Sequence, residues 1–399
     1  MSVDNSNVVR ITDRINESLF IGLYLGYLAV YELIDGTLSL KSTSEYSALY
    51  LNGCYPIYLG NNKVSACSQA DGQYEWFVSI YDVNTTTGVI TLLGKISVGT
   101  ASSAYSAYHK YLGIFDDNQV VYCFYRYLRS SGTSEYNLGI IDYSDPTNVH
   151  KIGSISLVSG LTYSSSVGFI GSGNGKVAYG KTGKPSSSSS STSYYKCIAQ
   201  ISEGSLTETS ESISSSQFNA LFLITQSTIS DIKEYPDTSK RFFFNGVGLF
   251  DSTEDAFYIT STTSMGLPSY IQAIENIGNN KMIVFCDGKF YLLSFNSESK
   301  QFIVLSTVPY TLVITGTITT YDILGMNNNA LIFFREYKTN PATYTQRYGI
   351  LNIDNNNVVM GTPTDKVKEW AGSGNPIGVA KQNGNAGDII EVYVPTANT

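Results

Sequence analysis

One short string, Tyr58-Leu59-Gly60-Asn61-Asn62-Lys63-Val64, comes back along the whole chain. It reads as the end of one strand, a tight Gly/Asn turn and the start of the next, because Gly and Asn tolerate the left-handed backbone that such turns need. Copies stand at Tyr111-Leu112-Gly113 with Asp117-Asn118-Gln119-Val120, at Phe169-Ile170-Gly171 with Asn174-Gly175-Lys176-Val177, and at Ile277-Gly278-Asn279-Asn280-Lys281-Met282. Two more follow at Leu324-Gly325 with Asn327-Asn328-Asn329 and at Ile377-Gly378-Val379-Ala380 with Asn383-Gly384-Asn385. A strand-and-turn unit recurring roughly every 50 residues is the mark of a propeller or another repeat array. The interval between Gly171 and Gly278 is about double the others, so a degenerate copy is expected near residue 225.

A second hairpin series interleaves with the first. Tyr27 to Ile34, then Asp35-Gly36, then Thr37 to Leu40 is an Asp-Gly turn between apolar runs, a strong hairpin signal. Its later copies turn near residues 82, 142, 203, 251, 296 and 354. Paired hairpins give four antiparallel strands per unit, which repeated radially make a β-propeller. The chain opens with a second hairpin and finishes with a first, so the two ends complete one blade and leave no half-blade edge exposed. The expectation is an all-β, seven-bladed propeller with its last blade closed by the N- and C-terminal hairpins. In residue terms it has an N-terminal arm over 1–19, a single domain over 20–395 and a tail over 396–399. The blades are expected over 43–100, 101–159, 160–215, 216–265, 266–312, 313–372, and 373–395 plus 20–42. The weakest is 216–265, whose first hairpin lacks the Gly-Asn turn.

Composition narrows the function classes. Of 399 residues, 42% are hydrophobic, ample for a large core, yet only 15% are charged, below the usual quarter. Ser, Thr, Asn, Gly and 31 Tyr take the place of surface charge. A net charge of -8 without a basic stripe argues against a nucleic-acid partner. Residues 18–31 are apolar but too short to span a bilayer, so no membrane insertion is expected, and 1–11 lack the apolar core of a secretory signal. The five cysteines form no CxxC pair, and Cys67, Cys123 and Cys286 fall at similar offsets after their repeat glycines; they read as buried thiols.

Catalytic motifs are missing. His109 and His150 are the only histidines, and no HExxH, GxSxG or P-loop is present. Asp116-Asp117 and the stretch from Asp251 to Asp255 occupy hairpin turns, where Asp serves turn geometry; a Ca²⁺ site or a glycosidase carboxylate pair are the alternatives there. No cofactor and no metal is expected. The serine run from Ser186 to Ser191 reads as a loop tip.

The connections between first and second hairpins are the richer candidates. They carry Tyr74 and Trp76; Tyr125, Arg126, Tyr127 and Arg129; Tyr194 and Tyr195; and Arg335, Tyr337, Tyr344 and Arg347. In a propeller these connections share one rim of the disc. Tyr and Arg beside Ser, Gly and Asn make an adaptable contact surface for a protein or a glycan.

The C-terminal stretch Asn375-Pro376-Ile377-Gly378-Val379-Ala380-Lys381, followed by Asn385-Ala386-Gly387-Asp388-Ile389-Ile390-Glu391-Val392-Tyr393-Val394, resembles a short hairpin found near the ends of bacteriophage virion and tail proteins. It covers about 20 residues of the chain. The resemblance implies a virion-associated, non-enzymatic protein whose partners are other virion proteins or a host-surface glycan or protein, external after particle release. A glycan-active enzyme with a carboxylate-lined funnel and a cellular protein-interaction scaffold are the rival readings.

Overall fold

A computed structural model describes residues 10–24, 27–34, 37–47, 55–69, 75–100, 105–161, 163–222, 242–260, 265–267, 271, 273–278, 280–286, 289–309, 317–326, 329–339, 342–354, 357–360, 370–371, 379–380 and 392–393. Strands dominate, and every strand pair is antiparallel. Strands β1 (Arg10–Arg14), β2 (Leu19–Tyr24), β3 (Tyr27–Ile34) and β4 (Thr37–Ser47) pair in chain order as one sheet. So do β5 (Ile57–Gly60), β6 (Lys63–Gln69), β7 (Glu75–Val83) and β8 (Ile90–Thr100). The next two meanders are β9 (Tyr105–Asp116), β10 (Gln119–Leu128), β11 (Thr133–Asp142) and β12 (His150–Ser156), then β13 (Tyr163–Gly173), β14 (Lys176–Lys184), β15 (Ser193–Ser202) and β16 (Ser205–Ser212). The pair Thr133 and Tyr163 joins them into one eight-stranded sheet.

Helix α1 (Ser215–Leu221) precedes a three-stranded sheet of β17 (Phe242–Phe244), β18 (Gly248–Asp251) and β19 (Ala256–Ile259). Four strands follow as β20 (Ala273–Gly278), β21 (Lys281–Cys286), β22 (Lys289–Asn296) and β23 (Gln301–Pro309). The last large sheet holds β24 (Thr317–Met326), β25 (Asn329–Thr339), β26 (Ala342–Asp354) and β27 (Asn357–Met360), with β28 (Trp370–Ala371) added to β26. Strands β29 (Val379–Ala380) and β30 (Val392–Tyr393) pair with each other.

The sheets follow one another round a circuit. Strand β5 lies against β1 and β9, β9 against β13, β13 against β17, β20 against β24, and β24 returns to β1. Phe242, Phe244 and Leu249 share a core with Ile274, Met282 and Val284, linking the three-stranded sheet to its successor. The arrangement is propeller-like: apolar residues of successive meanders share one core, as with Tyr111, Val121 and Leu138 beside Val167, Phe169 and Tyr179.

Two expectations change. Seven separate, equivalent blades are not what the described residues form: four complete meanders stand as separate sheets (β1–β4, β5–β8, β20–β23 and β24–β27), two are fused, and one has three strands. The weak region foreseen over 216–265 is the three-stranded one, where α1 wedges Phe218 and Leu221, with Phe222 just after it, against Phe243 and Phe250. The closure also differs. The expected arm over 1–19 contains β1, which pairs with β2 and so supplies the inner strand assigned to the C-terminus. Strand β1 is anchored to the next sheet: Thr12 Oγ1 donates to the Pro56 carbonyl at 2.7 Å, and the buried Asp13 carboxylate accepts from the Tyr58 N–H at 2.7 Å. Among the described residues the C-terminal hairpin pairs only with itself.

The repeat glycine does what its sequence suggests. Gly60 has φ +89, and Asn61 and Asn62 follow at +48 and +62, so three successive left-handed residues reverse the chain between β5 and β6. Asn118, Asn174 and Asn280 take the same conformation in the equivalent turns.

Candidate binding face

Up-and-down strands send the connections β6–β7, β10–β11, β14–β15 and β25–β26 to one end of their sheets. The β10–β11 turn, at 129–132, is one part of that rim. Strands β10 and β11 pair without a break from Gln119↔Asp142 to Leu128↔Thr133, which projects the turn at 129–132 from a rigid stem. Arg126 does not face a ligand freely. Its Nε and Nη2 both donate to Glu135 Oε2, at 2.7 and 2.5 Å, and its Nη1 donates to the Thr100 carbonyl of β8 at 3.2 Å. Arg126 therefore clamps this stem to the preceding sheet. Arg129 is exposed in the turn, and Tyr125 and Tyr127 are half-buried.

The other expected residues are distributed unevenly. Trp76 is 3% exposed and sits inside the core beside His109 and Phe124, with ring centroids at 5.5 and 6.0 Å. Tyr194 packs on Phe218 at 5.4 Å, and Lys181 Nζ stands 5.8 Å from the Tyr195 ring; both tyrosines are half-buried. Arg335 and Tyr337 fall on β25 in register with Gln346 and Tyr344, and Arg347 opposes Phe334. Tyr74 and the side chains of Arg335, Tyr337, Tyr344 and Arg347 lie outside the described residues.

Two residues that sequence reasoning passed over pack beside Tyr125. Tyr108 and Tyr136 flank Tyr125 in register on the neighbouring strands, and the three rings form a ladder with centroids 4.6 and 4.7 Å apart. Burial, with Tyr125 and Cys123 nearby, pushes the Tyr108 phenol up to about 12, and burial followed by the neighbouring tyrosines raises Tyr136 further. Both phenols are therefore neutral over the physiological range. Only cross-strand register, which the sequence does not display, brings these three positions together.

The opposite end of the sheets is turn chemistry. Asp145 is held below the ordinary carboxylate range by the Thr147 hydroxyl and N–H. Burial would raise Asp142, but hydrogen bonds from Ser144 and Gln119 bring it below that range. Asp251 Oδ1 accepts the N–H groups of Thr253 and Glu254 in the same manner. No group of His, Cys, Asp and Glu among the described residues is arranged to hold a metal. His109 lies within β9, buried. Cys67, Cys123, Cys197 and Cys286 are buried, as expected, and burial raises the thiols of Cys123 and Cys197. No helix among the described residues is long and apolar enough to cross a membrane.

The fold is that of an all-β, propeller-like protein. No family model and no curated protein sequence matches it. Solved structures of similar shape exist at low identity. A protein of unknown function from Desulfotomaculum acetoxidans aligns at 11% identity and TM-score 0.49, over 86% of this chain and 94% of its own. The WD40 domain of SCAP from fission yeast aligns at 11% and 0.40, over 93% and 90%. The α-L-arabinofuranosidase Arb93A from Fusarium graminearum aligns at 10% and 0.40, over 88% and 94%.

Proposed function

We propose that this protein is a non-enzymatic binding propeller, associated with a virion, that engages a protein or glycan through the rim around the β10–β11 turn. The observation that carries the reading is the tyrosine ladder Tyr108–Tyr125–Tyr136 at the foot of that turn. The rings are tilted against one another and held in register, with Tyr136 buried as a base and Tyr108 and Tyr125 half-buried, so those two meet a partner at little conformational cost. The paired strands and the Arg126 clamp keep the platform rigid, which suits recognition. The virion assignment rests on the C-terminal resemblance and on a composition rich in Tyr, Ser, Thr and Asn and poor in charge.

The test has two parts. Mass spectrometry of purified particles is expected to detect the protein; its absence from them overturns the virion assignment. Purified protein is expected to bind the host-cell surface, and Tyr127→Ala with Arg129→Ala to weaken that binding. Parent-like binding by both variants overturns the face.

A further inference from the structure

Tyr125 stands between two other tyrosines, and the two neighbours are not equivalent. On β10 it opposes Tyr108 of β9 and Tyr136 of β11 in the strand register. The centroid separations, 4.6 Å to Tyr108 and 4.7 Å to Tyr136, sit at the short end of the roughly 4.5–7 Å spread of aromatic pairs. With ring planes inclined at 45° and 51°, each pair is in van der Waals contact.

Exposure separates the two pairs. Tyr136 is 5% exposed and lies in the core shared with Leu138, Val167 and Phe169. Its hydroxyl donates to the Ser165 carbonyl at 3.3 Å, beside the bulge at Ser164 where β13 slips register against β14. That ring is sealed from solvent and held at its polar end. Tyr108 and Tyr125 are half-buried at the margins of two different cores. Tyr108 packs on the core holding Trp76 and Phe124, and Tyr125 on the core holding Tyr136 and Leu138. Each keeps part of its surface open to solvent.

Two phenols in contact, both open to solvent, have the geometry that oxidative coupling requires. A one-electron oxidant removes an electron and a proton from each phenol. The two phenoxyl radicals then join through the carbons ortho to their oxygens, and the displaced ring hydrogens move to the oxygens and restore both phenols. One hydrogen peroxide takes up the two electrons and two protons and leaves as two waters, so the chain loses two hydrogen atoms. Holding the reacting groups side by side favours this coupling over encounter between separate chains.

We propose that Tyr108 and Tyr125 form an oxidative modification site, where peroxide and a peroxidase-type catalyst join them as dityrosine and staple β9 to β10. The bond closes the β9–β10 hairpin at the end opposite its turn at 117–118, which restricts the unfolded chain and stabilises the fold. The site depends on ring contact and is independent of what the rim binds.

The experiment treats the dilute full chain with a haem peroxidase and hydrogen peroxide at neutral pH. Intact mass, dityrosine fluorescence and peptide mapping read the product. Trypsin cuts after Lys110, Arg126 and Arg129, so Tyr108, Tyr125 and Tyr136 fall on separate peptides, and fragment ions place the link within them. The expected product is a monomer lighter by two hydrogen atoms, with Tyr108 joined to Tyr125 and a higher urea midpoint than the untreated chain. Tyr125→Phe and, separately, Tyr108→Phe are expected to lose the link while keeping the parent's far-UV circular dichroism. Tyr136→Phe is expected to keep it. A link mapped to Tyr125 and Tyr136, or to any other pair, overturns the site. So does a product of cross-linked dimers alone, a treated chain without dityrosine, or parent yield from Tyr125→Phe. An unchanged urea midpoint in the linked monomer overturns the stapling role.

Discussion

Replacing Lys300 by methionine tests how the weakest sheet is held to its neighbour. Lys300 Nζ lies 2.8 Å from Asp251 Oδ2, 3.5 Å from Glu254 Oε1 and 4.7 Å from the centroid of the Phe242 ring. The Asp251 side chain is fully buried and that of Lys300 is 11% exposed, so this pair joins β18 to the β22–β23 turn away from solvent. Methionine keeps most of the stem's volume and removes the charge. Breaking a buried pair from one side costs about 3–5 kcal/mol, since the remaining carboxylate is left uncompensated. Asp251 Oδ1 keeps the N–H groups of Thr253 and Glu254, so the low end applies, about 3 kcal/mol. That is about a hundredfold in the folded-to-unfolded ratio. Urea titration followed by far-UV circular dichroism and by fluorescence of the buried Trp76 reads the change. Adding Asp251→Asn to Lys300→Met is expected to recover about 1–2 kcal/mol, because the stranded charge is gone. A cost within about 0.5 kcal/mol for Lys300→Met, the behaviour of an exposed pair, would refute the reasoning.

Two further outcomes follow from packing and ionisation. A Cβ added to Gly180 would stand 2.4 Å from Cδ2 of the fully buried Phe222 ring, so Gly180→Ala is expected to lose about 1–3 kcal/mol by denaturant titration; an unchanged midpoint contradicts the wedge role of α1. Tyr108 and Tyr122 are pushed up to about 12, chiefly by burial, while an unfolded tyrosine titrates near about 10. Their raised values favour the neutral form in the folded state, so their contribution is complete below about pH 10 and declines as pH rises through about 12. Tyrosinate absorbance is expected to show a late fraction released above about pH 11, and titration of every tyrosine near about 10 before unfolding contradicts the buried ladder.

The fold class was legible because glycine and asparagine turns cannot be disguised: Gly60-Asn61-Asn62 and its copies at Asn118, Asn174 and Asn280 mark hairpins among the described residues. The closure was not. Residues 10–14 carry no apolar alternation that distinguishes an inner strand from an arm, and β1 is recognisable only through its pairing with β2 and its bonds to Pro56 and Tyr58. The site was half legible. Tyr125 and Tyr127 stand out beside a Ser-Gly turn, whereas Trp76 has the same composition around it and is core. Alternation decides between those outcomes, and a bulge such as the one at Ser164 resets alternation without any sign in the residue types. Arg126 illustrates the same limit, since its partner Glu135 lies across a hairpin whose register the turn sets.

The central claim is that the circuit closes through β1 against β24, with the C-terminal hairpin paired only to itself among the described residues. Two truncations measured side by side by thermal unfolding test this directly. Removing residues 372–399 is expected to leave the melting temperature and the surface binding of the parent. Removing residues 1–16 is expected to abolish cooperative melting, because the inner edge of β2 and the face of β24 are both uncovered. The reverse pattern, collapse on losing 372–399 and tolerance of losing 1–16, would contradict the account and restore closure through the paired termini.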